Sequence, residues 1–249
     1  LALASNFSAP ASGDVWIFTV AEGVVIGSNS TGAGGVDTGA GWPAGVTIRL
    51  VILPGAYVVG RGGDGGSAYA KADIGPIIVE ATAFNGKNGG PALIANVPVE
   101  VDNRGTIGGG GGGGGGASAL GTNLFGLTSF SLVAAGGSSG AGASAAVPGY
   151  GTLVFLNPVI EPIFSYSQSG NTGGLVSGGS TNVLTGAGVS ANGGSSGGLG
   201  QAGSSGSASA NAQDNNDTAT GTGGLPGPAV VGNANITWIN TGTRLGAIT

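Results

Sequence analysis

Eleven acids and six bases make up the charged side chains of this 249-residue chain, which contains no His, no Cys and no Met. That composition removes the imidazole general base, thiolate nucleophiles, disulfides and the usual soft metal ligands in one step. Carboxylates remain, Glu80, Glu100, Asp102 and Glu161 among them. Two of them across a cleft could hydrolyse a glycosidic bond. No acidic motif marks such a pair, and Glu100 and Asp102 share one strand face just ahead of a glycine run. The cluster QDNND at 213–217 carries hard oxygens of the kind Ca²⁺ takes, but its composition reads first as a polar turn. Arg61 and Asp64, three residues apart, form at most a local ion pair worth under about 1 kcal/mol. The expectation is no catalytic residue, no metal, no cofactor and no enzyme.

Binding chemistry is better represented. Two segments, SALGTNLFGLTSFSLVAA (118–135) and AAVPGYGTLVFLNPVIEPIFSYSQS (145–169), hold Phe125, Phe130, Tyr150, Phe155, Phe164 and Tyr166. Aromatic side chains beside adaptable Gly/Ser backbone suit interface hot spots; the alternative is a local core or a subunit contact. Trp16, Trp42 and Trp238 lie in or beside β-type sequence and are read as packing residues. The bases Arg49, Arg61, Lys71, Lys87, Arg104 and Arg244 are scattered singly in a chain of net charge −5, so no nucleic acid partner is expected. No apolar run approaches the roughly 18 residues of a membrane helix. The opening LALASNF lacks the charged start of a signal peptide, and the chain reads as a piece of something longer.

The elements that must position those aromatics are unusual. Glycine supplies 58 residues, and only 7% are charged, far from the average of about 7% Gly and 25% charged. Disorder is disfavoured, because 40% of the residues are hydrophobic and disordered chains are poor in them. DVWIFTV (14–20), GVVIG (23–27) and VTIRLVIL (46–53) read as strands joined by turn sequences, and no sustained helical stripe occurs. From Gly60 onward glycines recur at a spacing of three, as at 194, 197, 200, 203 and 206. That period predicts polyglycine II helices, with three residues per turn and backbone groups that must bond laterally. The nine consecutive glycines Gly108, Gly109, Gly110, Gly111, Gly112, Gly113, Gly114, Gly115 and Gly116, about 28 Å at that rise, fit the centre of a bundle, where no face is left for a side chain. The run 194–206 fits a peripheral rod, with Ser195, Ser204 and Ser205 turned outward.

The fold expected is mostly irregular and β, a short β-strand shoulder followed by a bundle of packed polyglycine II helices with almost no α-helix. The shoulder is placed at 1–59 and the bundle at 60–249. Excursions at the ends of the glycine blocks are expected at 118–135 and 145–169. A collagen reading fails for want of a strict Gly-X-Y period, and the calcium-binding nonapeptide motif does not recur.

The ordered set AYVVGRGGDGGS, NGKNGGPAL and VPVEVDNRGTIGGGGGGGGGAS resembles the glycine-rich tip domain of tailed-phage receptor-binding adhesins. VDTGAGWPAGVTIRLVI and NITWINTGTRLGAIT are similar to the β-rich segments around such tips. The resemblance implies a virion protein at the distal tip of the phage tail, attached to the rest of the tail fibre. By position, the resemblance places variable distal loops at 118–135, 145–169 and 175–185 and a closing β segment at 234–249. Those loops would meet a bacterial outer-membrane receptor, protein or lipopolysaccharide, and a homotrimer at the tip stays open. Two alternatives are carried: a structural glycine-rich matrix or antifreeze-type protein, and a carbohydrate-active phage tail protein.

Overall fold

The computed structural model describes residues 9–73, 78–122, 130–144, 146–155, 164–180, 183–186, 188–210 and 217–249. No α-helix occurs among them; the sole helical element is a single 3-10 turn, Asn233–Asn235. Glycine costs about 1 kcal/mol per interior helical position, which this composition cannot sustain.

The shoulder is a stack of coils with three faces. The first face holds four parallel strands in the order Val15–Val20, Thr47–Ile52, Val99–Asn103 and Ile236–Asn240. The second holds Val25–Gly27, Tyr57–Val59, Thr106–Gly108 and Thr243–Leu245, again parallel. The third is shorter, Val36–Asp37, Leu93–Ile94 and Val230–Val231, extended by a bridge from Val230 to Ile248. The chain thus visits the faces in turn four times. Period-two alternation sends Ile48, Leu50 and Ile52 inward while Thr47, Arg49 and Val51 are half-buried on the outer side. Val58, Leu93, Val101, Ile107 and Val230 are fully buried in the same core. Trp42 and Trp238 pack against it, as expected for packing residues.

The expected shoulder, 1–59, therefore supplies the first coil and two faces of the second, and residues 92–108 and 229–249 complete the stack. The expected closing segment, 234–249, lies in the last coil. Two excursions leave the stack between its second and third faces. Residues 60–92 leave from the second coil and 109–229 from the third.

These excursions build a glycine-rich body around residues 108–116, all buried. Every third residue of that run addresses the same neighbour. Gly110, Gly113 and Gly116 donate their N–H to the carbonyls of Gly90, Lys87 and Phe84, and their own carbonyls accept from Gly227, Gly224 and Gly221. Gly111 and Gly114 donate to Ala141 and Ser138 and accept from Gly63 and Gly66. Gly112 and Gly115 donate to Gln201 and Ser204 and accept from Gly197 and Gly194. These bonds span 2.7–3.0 Å. Six segments, 60–66, 84–90, 137–141, 194–200, 201–206 and 221–227, thus surround the run. They also bond to one another around the ring, as in Gly90 to Arg61, Gly89 to Leu225, Gly206 to Gly221, Ser204 to Ser195, Ala141 to Gly197 and Gly140 to Gly63. The backbone donors of Gly109 to Gly116 all find partners without a side chain in the way.

The in-register glycines from 194 to 206 differ from expectation: they form two antiparallel segments, not one. The chain reverses at Gly200, whose φ of 67° is open to glycine at no steric cost, with Gln201 N–H bonded back to the Gly198 carbonyl at 3.0 Å. Ser195, Ser204 and Ser205 are exposed, as the peripheral reading requires.

Candidate functional site

Beyond the glycine segments the chain continues into strands that extend the body away from the shoulder. Residues 60–66 lead into Ala68–Asp73, which returns as the antiparallel Ile78–Ala83. The central run leads into Ala117–Thr122, which pairs with Phe130–Ala135 on one side and Asp217–Thr220 on the other, both antiparallel. Gly151–Phe155 lies parallel to Ala68–Asp73, and Phe164–Gln168 parallel to Phe130–Ala135. Val183–Gly186, Val189–Asn192 and Ser207–Ala210 form a third sheet. Given these directions, the strand ends at 73/78, 122/130, 155/164, 186/188 and 210/217 all lie at one end of the molecule, opposite the shoulder.

Small residues make this packing possible. Ala70, Ala72, Leu120 and Leu132 form one buried cluster; Ala117, Ala119, Val133, Ala135, Leu184, Val189 and Ala191 form another. Polar ties fix the strands laterally. The Ser118 hydroxyl donates to the Thr82 carbonyl at 3.0 Å, and Ala81 N–H donates to Asp217 Oδ2 at 2.7 Å. Asp217 is the described member of the QDNND cluster and ties to the middle of a neighbouring strand; 213–216 lie outside the described residues.

The aromatic candidates divide by position. Phe130 and Phe164 open adjacent parallel strands at the distal end, Phe164 in register with Ser131. Phe155 closes its strand at the same end, paired with Ala72. Tyr166 pairs with Val133, two residues further down. Phe125 lies outside the described residues, as do 123–129 and 156–163. Tyr150 is elsewhere, exposed at the base of its strand on the flank of the body. The excursion expected at 175–185 divides. Val183–Gly186 climbs to the distal end, whereas 174–177 turn at the opposite end, where the Val176 carbonyl accepts from Leu199 and Leu175 packs near Leu245. Sequence reasoning passed over the connection 74–77 and read 213–217 only as a polar turn; both 74–77 and 211–216 join distal strand ends as well.

The carboxylates are dispersed and engaged. Glu100 meets Arg49 with Nε to Oε2 at 2.7 Å, on the shoulder. Asp102 takes Arg104 Nε at 3.0 Å and Nη2 at 2.7 Å, with Asn240 Nδ2 at 2.7 Å. The Arg104 hydrogen bonds, then that of Asn240, hold the Asp102 carboxyl below its ordinary value. Glu80 accepts from the Tyr69 hydroxyl at 3.0 Å and lies 3.9 Å from Lys71. Asp64 bonds Arg61 at 2.7 Å, the local pair expected, and accepts from Val147 N–H at 2.9 Å. Glu161 lies outside the described residues. Among the described residues no three acids gather into a metal-binding group.

A family model described as phage tail fibre adhesin Gp38 matches residues 2–249. No curated protein matches the chain. Among solved structures, the chain is similar to one from the gp37–gp38 adhesin tip complex of the bacteriophage S16 long tail fiber. The TM-score is 0.57 at 21% identity, over 96% of this chain and 72% of that one.

Proposed function

We propose a division of labour for this chain, which belongs to the phage tail fibre adhesin Gp38 family: the coiled shoulder attaches, the glycine segments extend, and the distal strand ends engage the host receptor. An adhesin binds its ligand and leaves it intact, so neither a matrix protein nor a carbohydrate-degrading one describes it. The observation that carries the proposal is directional. Every described strand pair beyond the glycine body ends on one side, and the aromatic positions Phe130, Phe155 and Phe164 sit there.

The surrounded glycine segments are read as polyglycine II helices. A hydrogen-bond pattern that returns to the same neighbour every third residue, at six directions around one run, supports three residues per turn. Such a rod carries receptor-contact loops at low ordering cost, because its backbone is fixed before contact. Phe125, Phe130, Phe155, Phe164 and Tyr166 are the contact residues proposed for an outer-membrane protein or lipopolysaccharide receptor.

The first coil is the proposed attachment face toward the tail fibre. Among the described residues its strand Val15–Val20 pairs on one edge only, and Val15, Ile17, Val24 and Val25 are exposed. Trp16, Phe18 and Trp42 form an aromatic cluster there, with ring centroids 6.2–6.3 Å apart. The S16 relative occurs in a gp37–gp38 complex, and a fibre shaft of that kind is the partner proposed here.

Competition for phage adsorption tests the distal assignment. The intact protein should block attachment. Exchanging 123–129 and 156–163 for short Gly/Ser links, with Phe130, Phe155, Phe164 and Tyr166 replaced by Ser, should abolish blocking while the melting temperature stays close to the parent's. Undiminished competition by the exchanged protein would refute the distal site.

A further inference from the structure

The flank of the body carries a second candidate surface, away from the distal end. Gly151–Phe155, Ala68–Asp73 and Ile78–Ala83 form a three-stranded sheet in which Thr152, Tyr69 and Thr82 are in register, as are Lys71 and Glu80. Directly paired residues share a face. Ala68, Ala70 and Ala72 are buried on the inner side, so the paired residues occupy the outer one. Tyr150 and Phe84 extend the same alternation past the strand ends.

Both aromatics are fixed by one serine. Tyr150 N–H donates to Ser67 Oγ at 3.0 Å, and Phe84 N–H donates to the Ser67 carbonyl at 2.8 Å. Tyr69 and Phe84 lie 6.4 Å apart with planes tilted by 42°. Ser67, Ala68, Tyr69, Phe84, Tyr150 and Thr152 line an open groove of about 420 Å³, within the roughly 300–1,000 Å³ usual for small-ligand sites. Phe84 is 53% exposed and Tyr150 57%. Neither ring is needed to fill a core.

We propose that this groove is a saccharide-binding subsite that takes a neutral glycan chain of the host surface. Three aromatic side chains supply faces for the C–H sides of sugar rings. The hydroxyls of Tyr69 and Thr152 at the groove supply directional partners for sugar hydroxyls. None of the residues that line the groove carries a charge, and beside it Lys71 and Glu80 lie 3.9 Å apart, which matches an uncharged ligand and disfavours phosphorylated or acidic ones. The groove opens sideways, so a polymer can run along the rod while the distal end reaches further in. This site is separate from the distal contact surface and does not depend on it.

The test is titration of the full-length protein with lipid-free oligosaccharides covering neutral and acidic repeat units of bacterial surface glycans, read by saturation-transfer NMR and calorimetry. Binding of a neutral member is expected, and Phe84→Ala and Tyr150→Ala should each weaken it roughly three- to tenfold. Both rings are exposed, so unchanged melting curves will separate lost contact from lost fold. Binding of none, binding of acidic members only, or full binding by the double variant each overturns the proposal. The protein with 156–163 exchanged should bind the same glycan as its parent. If glycan binding is absent while adsorption is still blocked, the groove assignment fails alone; if glycan binds and the distal exchange has no effect on adsorption, the distal assignment fails alone.

Discussion

Replacing Gly112 with alanine should unfold the glycine body, although the change adds one methyl group. A Cβ there would overlap the Gly224 carbonyl oxygen, with the Gly224 carbonyl carbon 2.5 Å and the Gly203 nitrogen 2.9 Å away. All three are backbone atoms, so no rotamer can yield. Relief requires the segment 221–227 to move off the central run. That motion breaks the bonds from Gly221, Gly224 and Gly227 to Gly116, Gly113 and Gly110, now 2.7–2.8 Å long. A buried unsatisfied backbone group costs about 1–3 kcal/mol, so three broken bonds cost roughly 3–9 kcal/mol. A whole domain is stable by only about 5–15 kcal/mol. The control is Gly32→Ala: the nearest atom to its Cβ is Ser30 Oγ at 3.8 Å, and the expected change is slight, or a gain of about 0.4–1 kcal/mol through the unfolded chain. Urea titration followed by far-ultraviolet dichroism measures both. Trp16, Trp42 and Trp238 all lie in the shoulder, so tryptophan fluorescence separately reports whether the coils survive. Equal midpoints for Gly112→Ala, Gly32→Ala and the parent would refute the packed-rod argument and return 108–116 to the status of a linker.

Two further outcomes are expected. The Asp102 carboxyl sits below its ordinary value of 3.8 in the folded protein, chiefly because of Arg104 and then Asn240. A group with a depressed folded value stabilises above its unfolded value and loses that contribution as pH falls through the folded one. Melting temperature should therefore fall on acidification below about pH 4, and Asp102→Asn should flatten the fall; an unchanged slope would remove this residue from the account. On the proposed attachment face, Ile17 is 58% exposed, so Ile17→Glu should alter stability by no more than about 0.5 kcal/mol. The same variant should lower co-purification with the fibre shaft, and undisturbed assembly would argue against the first coil as the contact.

Residue types revealed part of this architecture and concealed part of it. Gly108 to Gly116 could be read as a packed centre because nothing but glycine tolerates neighbours on all sides. The third face of the later coils was hidden by its brevity: Leu93–Ile94 and Val230–Val231 are two-residue strands, too short to leave a periodic signal. Their partners lie across the intervening glycine excursions. The strand AYAKAD escaped notice because alanine has low β-propensity, yet here Ala68, Ala70 and Ala72 face the packed interior, where bulkier side chains have no room. Without that strand, the connection 74–77 and the outward row Tyr69–Lys71 could not be placed. The turn at Gly200 was obscured by its agreement with the spacing of its neighbours, since an αL glycine and an extended glycine are the same letter.

The shoulder also sets the register of the glycine segments. Val58 and Val59 stand in register with Ile107 and Gly108 in a parallel sheet. The same alignment then continues without a break as Gly60 to Gly108, Gly63 to Gly111 and Gly66 to Gly114. A glycine segment has no side chain to specify register, and a slip along it would leave the backbone bonds intact one step away. The coils remove that ambiguity, because a slip would drag Val58 and Ile107 out of a core in which both are fully buried. At the return end the pairing of Leu93 with Val230 plays the same part for the segments 84–90 and 221–227. Residues that could slide if isolated are thus held from both directions by side chains that cannot, and the distal strand ends inherit their positions from a core at the far end of the molecule.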